Sequence, residues 1–503
     1  MSHDSTTSPD RAPTSKSDIA VLRWLVAATF VVILNETIMI NAIPRLAAEF
    51  DVSDTAASWL STAFILTMAV VIPVTGWFLQ RVTTRQAFAL AMVVFCTGTL
   101  IAAVAPVFPL LLAGRIVQAA GTAVMMPLLM TTLMSVVPEH DRGRVMGNVT
   151  LAMSVAPALG PAVSGVILEY LSWRWMFGLV LPVAALIAAA GLARLRNVGE
   201  PTAGSIDILS VVVSAVGFGS LVYGLSLVGQ PDQPAPPALL VAVGALFVGG
   251  FVWRQVSLQR TGSPLLDLRT LTHRTYTLAL LLMVMAFMGF LGSMVVLPFY
   301  LQDARGLSTL ETGLMMMPGG LAMGLLGPSV GRLFDRFGGR PLVIPGAIGI
   351  VVGLALFSQV DLSTPYWLVL GMHILLMVSL AAVFTPVFTL GLGAVPPQLY
   401  SHASSLLGSL QQVAGAVGIA LSMALLSSRS TSLLDGGASQ PEALAGGLRL
   451  AFLVSAGLSL AVVALALLLP GRLPTTQAST WIDDDVQADD DLPDELPETV
   501  PVG

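Results

Sequence analysis

The chain is a series of long apolar runs separated by short polar joints. Fourteen runs approach the ~20 residues that a bilayer-crossing helix needs. They occupy positions 21–44, 57–79, 86–105, 108–131, 145–168, 173–193, 206–229, 237–257, 275–301, 311–331, 341–360, 365–393, 403–428 and 448–470. Each reads as a helix, because hydrocarbon leaves the backbone of an open strand without partners. Composition agrees: 55% of residues are hydrophobic and only 10% charged, against roughly 25% charged in a soluble domain. Mean hydropathy is +0.84, and 47 glycines suit close helix packing. The fold class is therefore an all-α polytopic membrane protein. A soluble enzyme, a nucleic-acid binder and a disulfide-stapled secreted domain are excluded, and Cys96 is the only cysteine.

The net charge of −6 is misleading, because nine acids lie between Asp483 and Glu498 and leave +3 for the rest. Positions 1–20 and 473–503 read as polar and acidic disordered tails, and no signal peptide is expected ahead of the first run. An even number of spans puts both termini on one side. That side collects 17 Lys and Arg against 5 on the other, so both termini are assigned to the cytoplasm. The chain reads as a multi-pass protein of the cytoplasmic membrane, and as a monomer whose surroundings are the lipid bilayer.

An internal repeat divides it. Gly331, Arg336 and Arg340 each follow Gly76, Arg81 and Arg85 by 255 residues, and Gly415 follows Gly160 by the same offset. The expected domains are a six-helix bundle over 21–193, two inserted helices over 206–257 and a second bundle over 274–470. Repeated halves place a substrate site at their interface, near the membrane midplane.

Several motifs resemble the major facilitator superfamily, and within it the 14-span drug:proton antiporter-2 family. Leu34-Asn35-Glu36-Thr37 through Ala42-Ile43-Pro44 is similar to that family's first-span pattern, with Asn35 at its usual acid and Glu36 one position on. Gly76, Arg81 and Arg85 match the loop motif, with Gln80 replacing its acid, while the second copy keeps Asp335. Arg115, Gln118 and Gly121 match the fourth-span motif, and Ala158 to Gly165 the antiporter motif with Gly160, Pro161 and Gly165. The aromatic turn from Trp173 to Phe177 also fits. The Asn35-Glu36 pair resembles the branch of lincomycin-resistance exporters. The resemblance implies two six-helix bundles plus two inserted helices, no enzymatic activity and proton-driven export by alternating access. It also implies a seal or bend at Gly160-Pro161, between the halves.

Glu36, Arg115 and His373 are the ionisable groups read as lying inside spans. A central charge costs ~2.5–3.5 kcal/mol, so each should face a cavity or a partner. Counted from span ends, Glu36 and Arg115 share a depth. Hydrocarbon favours the neutral acid and a nearby guanidinium favours the carboxylate, so Glu36 is the candidate proton carrier and Arg115 its modulator. The alternative is a static ion pair joining spans 1 and 4. Asn35, Asn41, Trp59, Gln118 and His373 are the candidate substrate-cavity residues, although a lone histidine also suits a backbone carbonyl. Gly76, Arg81, Arg85, Asp335, Arg336 and Arg340 are candidates for a cytoplasmic gate, or for plain positive-inside anchoring. Gln80 is expected to make a weaker latch than a carboxylate.

No ATP site is expected, since the one lysine is Lys16, and no metal or cofactor motif appears. The energy source is then an ion gradient: one proton crossing 100 mV supplies ~2.3 kcal/mol. The expected function is proton-coupled antiport of small lipophilic substrates, neutral or cationic. A dedicated exporter of one metabolite, antibiotic or lipid is the alternative.

Overall fold

A computed structural model describes residues 16–39, 42–198, 201–202, 204–228, 235–260 and 264–472. Residues 1–15, Asn41 and the acidic tail lie outside this set. Fifteen α-helices follow one another: α1 Lys16–Ile38, α2 Ile43–Glu49, α3 Asp54–Arg81, α4 Thr84–Ala103, α5 Phe108–Val136, α6 Arg142–Tyr170, α7 Arg174–Arg194, α8 Ile208–Ser226, α9 Pro237–Leu258, α10 Arg274–Phe299, α11 Thr309–Phe337, α12 Arg340–Phe357, α13 Tyr366–Gly393, α14 Tyr400–Asp435 and α15 Gln440–Leu468. All but the seven-residue α2 are long and apolar enough to cross a membrane, which makes 14 spans among the described residues.

Polar residues punctuate the ends. Thr83 with Gln86, Ser308 with Glu311 and Ser439 with Glu442 form reciprocal capping boxes at the starts of α4, α11 and α15. Such caps satisfy helix N–H groups that have no intrahelical acceptor. The first span differs from the 21–44 run: α1 ends at Ile38, and the run resumes as α2 with Pro44 in its first turn. Proline lacks the N–H that a continuous helix requires there. On that side Glu49 accepts from the Trp173 indole at 2.7 Å and the Arg174 guanidinium at 2.8 Å, tying α2 to the α6–α7 turn.

Helices α1 and α3–α7 pack as one bundle and α10–α15 as another, joined along two seams. In the α6–α11 seam, backbone meets backbone. A Cβ on Gly147 or Gly331 would strike the carbonyl of Gly327 or Gly143, and one on Gly327 would stand 2.6 Å from the Gly147 oxygen. Two glycines at four-residue spacing on each helix make this approach possible. The α3–α14 seam is its repeat counterpart at the 255-residue offset, where Gly76 faces His402 and Ile72 faces Gly408.

The inserted helices α8 and α9 pack on each other, and α8 also touches α3 and α14, straddling the second seam. The Arg254 guanidinium grips the Asp207 carboxylate at 2.7 and 2.8 Å. Hydrogen bonds from Arg254, opposed by burial and reinforced by Ser210, hold the Asp207 carboxyl down at about 2. The chain enters the insert through Thr202, whose N–H donates to the Gln80 carbonyl at 2.8 Å. It leaves through Leu266, whose N–H donates to Gln255 at 3.1 Å.

Two measurements check this packing. Gly147→Ala should lower the thermal midpoint through overpacking of roughly 1–3 kcal/mol. Gly165→Ala, with open space around its Cβ, should leave it unchanged. The depressed Asp207 carboxyl contributes stability that is complete above the unfolded value of ~4 and lost as pH falls through about 2. Arg254→Met should therefore cost about 1 kcal/mol at neutral pH and flatten the acid limb of a melting curve.

Candidate functional site

Glu36 sits on the last turn of α1 and is half-buried, next to the buried Asn35. Arg115, on the second turn of α5, is 1% exposed. Its environment is built for a cation. One guanidinium nitrogen donates to Gln118 at 2.6 Å, Nε reaches the Leu60 carbonyl at 3.4 Å, and Phe64 lays its ring 4.1 Å from Cζ. Gln118 in turn donates to Thr99 on α4 at 2.7 Å. Helices α3, α4 and α5 together immobilise the guanidinium. Glu36 and Arg115 act on each other electrostatically, yet no ion pair within 4 Å joins them among the described residues. The carboxyl group thus feels the guanidinium without being captured by it.

The antiporter motif adjoins this pair. A Cβ on Gly160 would run into the Thr37 side chain, and the Thr37 hydroxyl reaches toward the Ala156 carbonyl at 3.5 Å. Gly160 therefore abuts α1 beside Glu36, inside the N-terminal bundle. The halves meet backbone to backbone at Gly143, Gly147, Gly327 and Gly331, and Ala158 of the same motif meets Gly320 of α11. α6 continues helical through Pro161, whose side chain is outside the described set, and Gly165 meets nothing. Asn35 is 1% exposed, and neither side-chain polar atom has a partner among the described residues. Trp59 meets Tyr223 of α8 in the insert, at 5.2 Å between ring centroids and a tilt of 40°. His373 packs on Gly319 of α11 and bonds the Met316 backbone, within the C-terminal bundle. Backbone satisfaction, the plainer of its two readings, fits that placement. Asn41 lies outside the described residues.

Residues 25–419 match the sequence profile of the Major Facilitator Superfamily. The chain belongs to this superfamily. The lincomycin resistance protein LmrB of Listeria monocytogenes is 37% identical over 418 residues, covering 83% of this chain and 88% of that protein. Among solved structures, the human organic anion transporter MFSD10 superposes with a TM-score of 0.64 at 16% identity, covering 89% of this chain and 99% of that one. The proton:xylose symporter XylE does so with a TM-score of 0.62 at 15% identity, covering 91% and 97%. These superpositions show the major facilitator fold of this chain.

In this transporter the loop motifs separate into distinct jobs. Asp335, at the end of α11, accepts from the backbone N–H groups of Gly143 and Arg144 at 2.8 Å each, capping α6 across the first seam. Its repeat counterpart Gln80 reaches across the second seam, where its amide donates to the Gln398 carbonyl at 2.9 Å. A carboxylate cannot make that bond, which gives the departure at position 80 a physical reason and tempers the expectation of a weak latch. The arginines of these motifs make no hydrogen bond across the seams among the described residues. Arg81 lies 4.9 Å over Trp77 and donates to Gln80 at 3.0 Å. Arg85 is exposed, and its N–H meets Asn197 at 3.3 Å. Arg336 is exposed, and its carbonyl accepts from Arg472. Arg340 caps the end of α15 through the Leu467 and Leu469 carbonyls.

Further bridges lie on the same side of the bundle. Thr75 meets Ser405 at 2.7 Å, Thr131 meets Ser404 at 2.9 Å and Thr150 meets Thr385 at 2.9 Å. Every hydrogen bond between the halves among the described residues lies toward the face where α1 starts and α15 ends. Glu36 lies toward the other face. Sequence reasoning missed these hydroxyl pairs, because serine and threonine within apolar runs give no signal of which helix they will meet.

Asp335→Asn should remove one of the two N–H contacts and the charge. The expected cost is about 1.5–3 kcal/mol of latch stability, read as faster labelling of cysteines placed at the α6–α11 crossing in a Cys96→Ser background.

Proposed function

We propose that this transporter is a proton-coupled antiporter that exports lipophilic neutral or singly cationic compounds by alternating access. Both termini are assigned to the cytoplasm, since the positive loops collect on their face. That places the hydrogen-bonded seams on the cytoplasmic side and Glu36 toward the exterior.

One observation carries this reading: Arg115 is fixed by Gln118, Leu60 and Phe64, while Glu36 is half-buried and shares no direct ion pair with it. A carboxyl group of this kind has two stable states. With the space closed, empty of substrate and dehydrated, hydrocarbon favours the neutral acid. With water and an unscreened guanidinium nearby, the carboxylate is favoured. Motion of α1 past α5 and α6, with Thr37 against Gly160 as the contact surface, shifts the balance between them. Substrate and proton then compete for the same state of α1, which is the condition for antiport. The relative LmrB is named for lincomycin resistance, which supports a drug as cargo.

The test is transport in proteoliposomes with a pH gradient imposed or collapsed, using lincomycin and a lipophilic monocation as probes. Wild type should accumulate both only with the gradient. Glu36→Gln should lose gradient-driven accumulation at least about tenfold, equivalent to ~1.4 kcal/mol, and should keep downhill exchange. Undiminished gradient-driven accumulation by Glu36→Gln contradicts the proposal.

A further inference from the structure

The two seams are related by the internal repeat but are filled differently. His402 on α14 stands 255 residues after Gly147 on α6, so one seam has a glycine where the other has an imidazole. His402 is 3% exposed, and its Nδ1 has no hydrogen-bond partner among the described residues. A Cβ on Gly76 of α3 would stand 3.0 Å from that nitrogen. The α3 backbone there is committed to its own helix. Leaving a buried polar atom unsatisfied costs ~1–3 kcal/mol, and shape complementarity does not require it, since the sister seam closes on glycine.

The charges around this imidazole come from two elements. Arg81 of α3 acts on it, as do Asp267 and Arg269 in the segment leading from the insert into α10. Asp267 is 2% exposed. Burial opposes its charge, but the Arg269 hydrogen bonds, at 2.6–3.1 Å, prevail and hold its carboxyl below the ordinary range. The Tyr276 hydroxyl of α10 donates to the Ala403 carbonyl at 2.8 Å. Arg142 of α6 reaches the Tyr400 hydroxyl at 3.3 Å. The carboxylate that acts on His402 is already held by its own arginine, and two guanidinium groups act on the ring with opposite effect.

We propose that His402 is a second proton-binding site, on the face of the chain termini, whose occupation forces the α3–α14 seam apart. A proton on Nδ1 places a cation against α3 with no acceptor in reach and with Arg81 beside it. Separation of α3 from α14 admits water and relieves both penalties. The insert supplies part of the electrostatic setting: its entry strand is pinned to Gln80, and its exit strand carries Asp267 and Arg269. Opening of the seam by protons stands on this geometry alone; its use in a transport cycle rests on the antiport reading above.

The test places spin labels at Ser135 on α5 and at Leu271 on the segment leading into α10, both exposed, in Cys96→Ser protein in lipid nanodiscs. Distances are measured at about pH 8 and about pH 4, an interval wide enough to protonate a buried imidazole. The wild-type distance should lengthen by several ångströms at the lower pH. It should not change with pH in His402→Gln or in His402→Gly, the latter copying the sister seam. Glu36→Gln should keep the full seam response while losing gradient-driven export, so failure here is distinguishable from failure of the antiport reading. A wild-type distance that ignores pH, or a response surviving in both His402 variants, overturns the proposal.

Discussion

A guanidinium enclosed by apolar helices must have its donors occupied and its charge balanced without water. That demand organises the N-terminal bundle. Arg115 recruits Gln118 one turn along its own helix, a backbone carbonyl from α3 and a ring face from Phe64, and Gln118 extends the chain to Thr99 on α4. Three helices are thereby locked around one cation. The neighbouring carboxyl group is left out of this lock. It sits on a helix that ends two residues later, against a glycine of α6 that leaves room for Thr37. A fixed positive charge beside a movable acid is what a reversible proton site requires.

The repeat gives the two halves matching seams, and the differences between them are informative. At α6–α11 four glycines bring backbones into contact, and the Asp335 carboxylate caps the α6 N-terminus. At α3–α14 an amide meets a carbonyl and a buried imidazole meets a glycine. The first seam is held by close backbone packing and by a carboxylate on a helix end. The second carries the imidazole and has the inserted pair seated on it.

Much of this was readable from the chain itself. The apolar runs marked the helices, because length and composition suffice where a bilayer enforces helical backbone. The 255-residue offset marked the halves, and it also pairs Gln80 with Asp335 and His402 with Gly147. The first span was drawn too long, since an apolar run continues through Pro44 while the helix does not. Glu36 consequently lies nearer a helix end than a count over 21–44 implied. Neighbours across helices were the hardest to foresee. Nothing in the sequence shows that Gly160 turns toward Thr37, that Trp59 meets Tyr223, or that His402 faces Gly76. Rotation about a helix axis decides those contacts, and in a helix apolar on nearly every side the pattern does not fix the rotation.

The central claim, that substrate and proton compete through Glu36, is tested most directly by proton release from purified protein in weakly buffered detergent solution. Adding a saturating lipophilic substrate should expel about one proton per transporter at a pH where the acid is protonated, and Glu36→Gln should expel none. Equal release from both proteins, or none from wild type while substrate binds, contradicts the account.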